Sequence, residues 1–329
     1  GMTERPIVLQ GTGVRKYFPV HTGFGKPKKY VKAVDGVDIT IHEGEIYGLV
    51  GETGCGKSTL GRSIIRLLEP TDGQILYQGK DITGVSGKEL KALRRELQII
   101  FQDPYSSLDP RMCVRDLIAE PLRLTGYGSP SEIRKRVLEM MDTVGLASRF
   151  ECCYPHELDG GSRQRIGIAR ALAINPRFIV CDEPVSALDV SIQAQILNLL
   201  QDLQAQLGLT YMFITHNLSV VKHISDEIMV MYLGCAVEKC SAKELFLSPR
   251  HPYTKGLLNA IPIPTIHRAE KKGVVLRGEL ASPINPKPGC RFASRCPYSS
   301  EICLQEMPTL KEVSAGHFVA CHNLSSADS

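Results

Sequence analysis

The sequence predicts an α/β fold built on a mainly parallel sheet, with its site along the carboxyl edge of the strands. Residues 45–50 (EIYGLV) form a short apolar run that ends in a Gly-rich turn, and Leu60, Ile64, Ile65 and Leu68 then recur at helical spacing. A second apolar run, 178–181, stops at Asp182 and Glu183, and a third, 210–215, stops at His216. Strands that alternate with helices and end in polar residues are the pattern of a parallel sheet with helices on its faces.

The remaining elements follow from spacing. Ile192, Ile196, Leu199, Leu200, Leu203 and Leu207 mark an amphipathic helix between the second and third strands. Residues from about 90 to 165 read as mostly helical, with Ile133, Val137, Met140 and Val144 on one stripe, and are expected to form a subdomain inserted into the core. From about residue 250, Pro249, Pro252, Pro262, Pro264, Pro283, Pro286 and Pro288 break any long element, so the tail is expected not to extend the sheet. The expected division is residues 2–90 (a β subdomain and the first part of the core), 91–168 (helical), 169–248 (second part of the core) and 249–329 (C-terminal extension). Gly1 ahead of Met2 reads as an added residue and is left out of this division.

Composition narrows the function. The chain has 329 residues, 43% hydrophobic and 22% charged, which is ordinary for a soluble globular protein. A net charge of +4 implies neither a nucleic-acid partner nor a membrane-surface anchor. No apolar run approaches the roughly 20 residues that span a bilayer, and no secretory signal opens the chain, so a cytosolic location is expected. Of 11 cysteines, Cys55, Cys113, Cys152, Cys153, Cys181, Cys235 and Cys240 are scattered and read as small hydrophobes. Cys290, Cys296, Cys303 and Cys321 gather in the tail and need their own explanation.

The strongest local signal is Gly51-Glu52-Thr53-Gly54-Cys55-Gly56-Lys57-Ser58, which fits G-x-x-x-x-G-K-[ST] in a strand–turn–helix setting. Its glycines let the backbone wrap a phosphate, and its N–H groups converge at a helix N-terminus. Lys57 is placed to reach the β- and γ-phosphates and Ser58 to ligate Mg²⁺. Asp182, closing its strand, is placed to hold the Mg²⁺ shell, and Glu183 to act as general base on an attacking water. His216 alone is weak evidence, and gains weight only from sharing a sheet edge with Asp182 and Glu183.

These residues resemble the nucleotide-binding cassettes of ABC transporters, with the family's motifs in the family's order. The resemblance implies a P-loop NTPase (RecA-like) core, an antiparallel β subdomain and an inserted helical subdomain. It implies that Gln102, in Phe101-Gln102-Asp103-Pro104, senses Mg²⁺ and contacts membrane subunits. It also implies that Asp189, in Ser186-Ala187-Leu188-Asp189, belongs to the D-loop, that His216 meets the γ-phosphate, and that Phe18 stacks on adenine, with Tyr17 the lesser candidate. Thr59 joins residues 51–58 in the implied nucleotide-binding set. The family's Leu-Ser-Gly-Gly-Gln signature is altered here to Leu158-Asp159-Gly160-Gly161-Ser162. That loop binds the γ-phosphate held by the opposite subunit of a head-to-tail dimer. An aspartate there removes a hydroxyl donor, adds negative charge and, as a helix N-cap, offsets the dipole that greets the phosphate.

His251-Pro252-Tyr253-Thr254-Lys255-Gly256-Leu257-Leu258, followed by Pro288-Gly289-Cys290, resembles the extension of oligopeptide, dipeptide and nickel importer cassettes. The stretch from Glu183 to Gln193 resembles the second of the two cassettes such importers pair, which implies a heterodimer. The four tail cysteines suit tetrahedral zinc or an iron–sulfur cluster by residue type, with unligated thiols or disulfides the remaining reading, and the subfamily resemblance favours a [4Fe–4S] cluster with a structural role. The implied partners are a second ATP-binding subunit, two transmembrane permease subunits and, indirectly, an external solute-binding protein, with the chain at the cytoplasmic face of the membrane. Other readings are a nickel or metal-chelate importer cassette, a soluble ABC ATPase acting on ribosomes or DNA, and a P-loop metabolite kinase. The soluble proteins normally carry two cassettes or a long coiled coil, and a kinase leaves Gln102, His216 and the signature without purpose.

Overall fold

The computed structural model describes residues 4–102, 104–261 and 274–327. Asp103, Pro262, Pro264, Gly1 and Met2 lie outside the described residues. The chain divides into two compact units, residues 1–84 with 213–329, and residues 85–212.

The first unit holds an antiparallel sheet in the order Lys29–His42, Ile7–Val20, Asp72–Tyr77, Lys80–Asp81. One face of its long strands is apolar and buried, with Val14, Val37, Ile39 and Ile41 at its centre. A mixed sheet follows in the order Lys311–Ser314, His317–Val319, Cys235–Ser241, Glu227–Tyr232, Ile46–Val50, then Phe213 to Thr215 of the strand Thr210–Thr215. Ile46–Val50 runs parallel to Glu227–Tyr232, Val50 opposite Val230. Every residue of Ile46–Val50 is buried, as a strand covered on both faces requires, and this explains its unbroken apolar run.

The tail corrects one expectation. His317–Val319 pairs antiparallel with Cys235–Ser241, Glu238 opposite Val319, and Lys311–Ser314 pairs with it in turn, so the tail does extend the sheet. The prolines end at Pro308, and residues 309–320 keep every backbone N–H that a ladder uses.

The second unit is mainly helical. Its longer helices are Val114–Leu124, Pro130–Thr143, Gly160–Leu172 and Val190–Leu207. Ser129 caps Pro130–Thr143 in a reciprocal box with Glu132, and Pro130 opens the helix where its missing N–H does no harm. Ile133, Val137, Met140 and Val144 form its buried stripe. Two strands, Leu97–Ile100 and Phe178–Asp182, pair in parallel, Ile100 opposite Cys181. Among the described residues no helix is long and apolar enough to cross a membrane.

Candidate functional site

In the first unit, residues 51–56 link the strand Ile46–Val50 to the helix Lys57–Ile64. Two glycines are dictated by the backbone. Gly56 sits at φ 90°, and a Cβ there would lie 2.0 Å from the Ala33 carbonyl oxygen. A Cβ on Gly51 would lie 2.4 Å from the Met231 oxygen. The loop is therefore pressed against neighbouring backbone in a form that only glycine adopts. Gly56 occupies the N-cap position of Lys57–Ile64, where it offers no side-chain cap. Lys57 is 4% exposed, and its ammonium donates to the carbonyls of Gly51 and, at 3.1 Å, Glu52. Ser58 and Thr59 are half-buried on the first turn, and Thr53 and Gly54 are exposed at the loop's tip. Cys55 is buried, with its Sγ 3.9 Å from the Tyr253 hydroxyl, and burial pushes its thiol up. His216 follows the neighbouring strand Thr210–Thr215 and is exposed.

The antiparallel sheet of the same unit places two aromatic rings in different surroundings. Tyr17 donates its hydroxyl to Asp35, and burial together with that carboxylate pushes its pKa up to about 12. Phe18, opposite Val31, keeps its ring 36% exposed, with the Lys16 ammonium 5.2 Å from the ring centre.

In the second unit, Gln102 follows Leu97–Ile100, while Asp182 and Glu183 close or follow Phe178–Asp182. The two strands are parallel partners, so these three residues share one edge. Asp182 and Glu183 are both buried. Glu183 has φ 47°, a left-handed conformation that is costly for a side chain with a Cβ, and its carbonyl accepts from Ser186 Oγ at 3.2 Å. Asp159 caps Gly160–Leu172, its Oδ1 accepting from the Ser162 N–H at 2.7 Å. A Cβ on Gly161 would meet Ile192 Cγ2 at 2.8 Å, so the signature loop packs on the helix Val190–Leu207. Asp189 stands exposed at the N-cap of that helix.

Two sets of residues escaped the sequence reading. Behind the signature, Gln164 Nε2 donates to Phe101 O at 3.2 Å, Arg170 Nη1 donates to Ser107 O at 3.0 Å, and the Arg163 guanidinium lies 3.7 Å from the Tyr105 ring centre. These side chains fasten the Gly160–Leu172 helix to the segments flanking Gln102. In the other unit, Tyr253 and Arg295 of the tail both hold Glu52 of the phosphate loop. No sequence signal marked either residue beyond Tyr253's place in the His251–Leu258 motif.

Cys290, Cys296, Cys303 and Cys321 line one cavity with His251 and Phe292. The Cys303 Sγ lies 3.5 Å from Ser300 Oγ and 3.3 Å from Asn323 Nδ2, and Cys321 Sγ accepts from the Asn323 N–H at 3.4 Å. Burial pushes the Cys290 thiol up to about 11 and raises Cys296 as well. Among the described residues, the donor side chains close enough to share one ion are Glu238, Cys240 and His317, not these four.

Residues 34–186 match the family described as ABC transporter, and residues 237–303 match the oligopeptide/dipeptide transporter C-terminal region. The chain is 50% identical to the oligopeptide transport ATP-binding protein AppF of Bacillus subtilis, over 97% of this chain and 98% of that one. It is 50% identical to the oligopeptide transport ATP-binding protein OppF of Salmonella typhimurium, over 97% and 96%. The dimeric, post-hydrolysis structure of the ATP-binding cassette MJ0796 bound to ADP and Pi superposes with a TM-score of 0.64 at 30% identity, covering 71% of this chain and 98% of that one. Neither family description nor any of these relatives names an iron–sulfur centre, and the tail match ends at residue 303, short of Cys321. The expected [4Fe–4S] cluster, with its zinc alternative, is therefore not supported. Motif order, fold and nearly full-length identity agree: the chain belongs to the ATP-binding cassettes of ABC transporters, in the oligopeptide/dipeptide transport family.

Proposed function

We propose that this chain is the ATP-hydrolysing subunit of an importer for oligopeptides or dipeptides, working as one of a pair of cassettes on two membrane permease subunits at the cytoplasmic face. The observation that carries the reading is the loop 51–56, pressed against neighbouring backbone at Gly51 and Gly56 and running directly into the N-terminus of Lys57–Ile64. The peptide class rests on the names of the relatives and on the tail family. An external solute-binding protein delivers the cargo.

In this reading, the loop backbone of Gly51, Glu52, Thr53, Gly54, Cys55 and Gly56, with Lys57, Ser58 and Thr59, holds the triphosphate, and Phe18 offers its exposed ring to adenine. Ser58, Gln102 and Asp182 hold Mg²⁺, which when bound screens charge on the transferring phosphoryl group. Glu183 takes the proton from the attacking water, and His216 meets the γ-phosphate. Asp159, Gly160, Gly161, Ser162 and Asp189 face the nucleotide of the partner cassette, where Asp159 makes this chain's signature the weaker half of a composite site.

The test is steady-state ATPase activity of the full chain beside Glu183→Gln. Loss of the general base is expected to lower turnover by about 10²–10⁴-fold while ATP binding is retained. A Glu183→Gln chain that hydrolyses ATP like the unmodified one overturns the assignment of Glu183.

A further inference from the structure

Glu52 is the one acidic residue of the loop 51–58, and it lies where a bound triphosphate would bring more negative charge. The tail has built a counter to it. Arg295 Nη1 donates to Glu52 Oε2 at 2.8 Å and Nη2 to Oε1 at 3.1 Å, a two-pronged pair 243 residues apart in sequence. The Arg295 side chain is 6% exposed and Glu52's is 28% exposed. Arg295 is itself held: its Nε donates to Arg277 O at 2.9 Å, and Nη1 reaches the Tyr232 hydroxyl at 3.4 Å. A second tail residue grips the same loop position. The Tyr253 hydroxyl accepts from the Glu52 N–H at 2.9 Å and donates to Glu52 Oε2 at 3.2 Å.

The contact is part of a longer strap. Lys32 N donates to Pro283 O at 3.1 Å, Asn285 N donates to Tyr30 O at 3.1 Å, and Arg291 Nη2 donates to Asp35 Oδ2 at 2.5 Å. Asp35 is also the acceptor for Tyr17, beside Phe18. The tail thus fastens both the phosphate loop and the strand pair that carries the exposed Phe18 ring.

We infer that Arg295 is a positioning residue for nucleotide binding, neutralising Glu52 and fixing the phosphate loop in its binding form from the C-terminal extension. The inference rests on the reading of residues 51–58 as the ATP site. It needs no cofactor in the tail. A planar guanidinium fork fits this role better than an ammonium, because it satisfies both carboxylate oxygens and fixes the side chain's direction. Removing Arg295 leaves a carboxylate uncompensated at an anion site, whereas removing both charges leaves only a lost contact.

The experiment is a set of Mg·ATP affinities for the full chain, read with a fluorescent N-methylanthraniloyl ATP, together with kcat and KM. Arg295→Met is expected to weaken binding and raise KM by about ten-fold, with kcat within about two-fold of the original. Arg295→Met combined with Glu52→Gln is expected to recover affinity to within about three-fold, because the repelling charge is gone. Unchanged affinity in Arg295→Met overturns the inference. So does a double variant as weak as Arg295→Met, since a tail that merely props the fold gains nothing from losing a second contact. Arg295→Lys, which keeps the charge and loses the fork, is expected to fall between the two and serves if the methionine variant does not fold. Lys57→Ala separates the levels. Its loss of Mg·ATP binding upholds the site whatever the Arg295 variants do, and normal binding by Lys57→Ala overturns the site reading itself.

Discussion

At the scale of single residues, Asp159 is where this chain departs most sharply from its family's signature, and its geometry defines the consequence. The carboxylate already accepts from the Ser162 N–H at 2.7 Å, so it offsets the helix dipole with a full negative charge. Serine is an equally good N-cap, so Asp159→Ser is expected to leave thermal stability nearly unchanged. Together with Ser162→Gln it is expected to raise ATPase rate or nucleotide-driven dimerisation by about two- to five-fold, in line with a dipole term of about 0.3–1 kcal/mol. Equal rates would mean that Asp159 is tolerated. Glu45 illustrates a different residue-scale effect. Burial, with Glu227 and Asp226 nearby, pushes its carboxyl up to about 8, against the opposing hydrogen bond from the His42 N–H. A raised carboxyl pKa means that the folded state binds the proton more tightly than the unfolded one. Stability is therefore lost as pH climbs from the ordinary carboxyl range towards about 8. Glu45→Gln, already neutral, is expected to gain stability relative to the parent over that window, and parallel Tm-against-pH curves for the two proteins would refute the idea.

At the scale of elements, the strands and helices that carry motifs were legible because their signals are local. The buried strand Ile46–Val50 reads as an apolar run, and Asp182 and His216 announce strand ends by sitting just beyond apolar residues. The strands of the tail were not legible, because proline density upstream hid a proline-free segment whose pairing partner lies some 80 residues back, Glu238 against Val319. The grip of Arg295 on Glu52 was illegible for the same reason, since no periodicity links positions 243 residues apart. The tail cysteines failed in the opposite direction: four thiols that suit a cluster by residue type, favoured as one by resemblance, can equally stand without a metal. Beside its backbone ladder, the tail strand is tied down by a buried contact, His317 Nε2 to Glu238 Oε2 at 2.5 Å, an ion pair when His317 is protonated, in which both side chains are almost wholly buried. Glu238 is otherwise satisfied by the N–H groups of Arg250 and His251. The hydrogen bond to Glu238 raises the His317 pKa above its usual value. The stabilisation is therefore full below the ordinary histidine range and is lost as pH rises through the folded value. His317→Gln is expected to be less stable by about 3 kcal/mol at pH 6, with the gap to the parent narrowing at alkaline pH. A gap that is constant across pH would show that packing, not charge, holds the strand.

At the scale of the whole molecule, Lys57, Ser58 and His216 lie in one unit, and Gln102, Asp182, Glu183 and the altered signature lie in the other. In the proposed head-to-tail pair, each cassette would supply its own phosphate loop and lend its signature to its partner, so the two composite sites of a mixed pair would differ when one signature is altered. Two copies of this chain would set Asp159 against both nucleotides. Pairing with a cassette that keeps serine and glutamine in its signature would leave Lys57, Glu183 and His216 of this chain opposite a normal loop, and place Asp159 only at the other site. The expected result is that ATPase activity of an equimolar mixture with such a cassette exceeds the sum of the separate activities by several-fold. In that mixture, Glu183→Gln in this chain is expected to remove most of the gain, by the 10²–10⁴-fold scale of a lost general base at the competent site. The equivalent change in the partner should remove little, because the site it disables is already the weak one. Brisk hydrolysis by this chain alone, unchanged by the partner, would sink the asymmetry while leaving ATP hydrolysis itself in place.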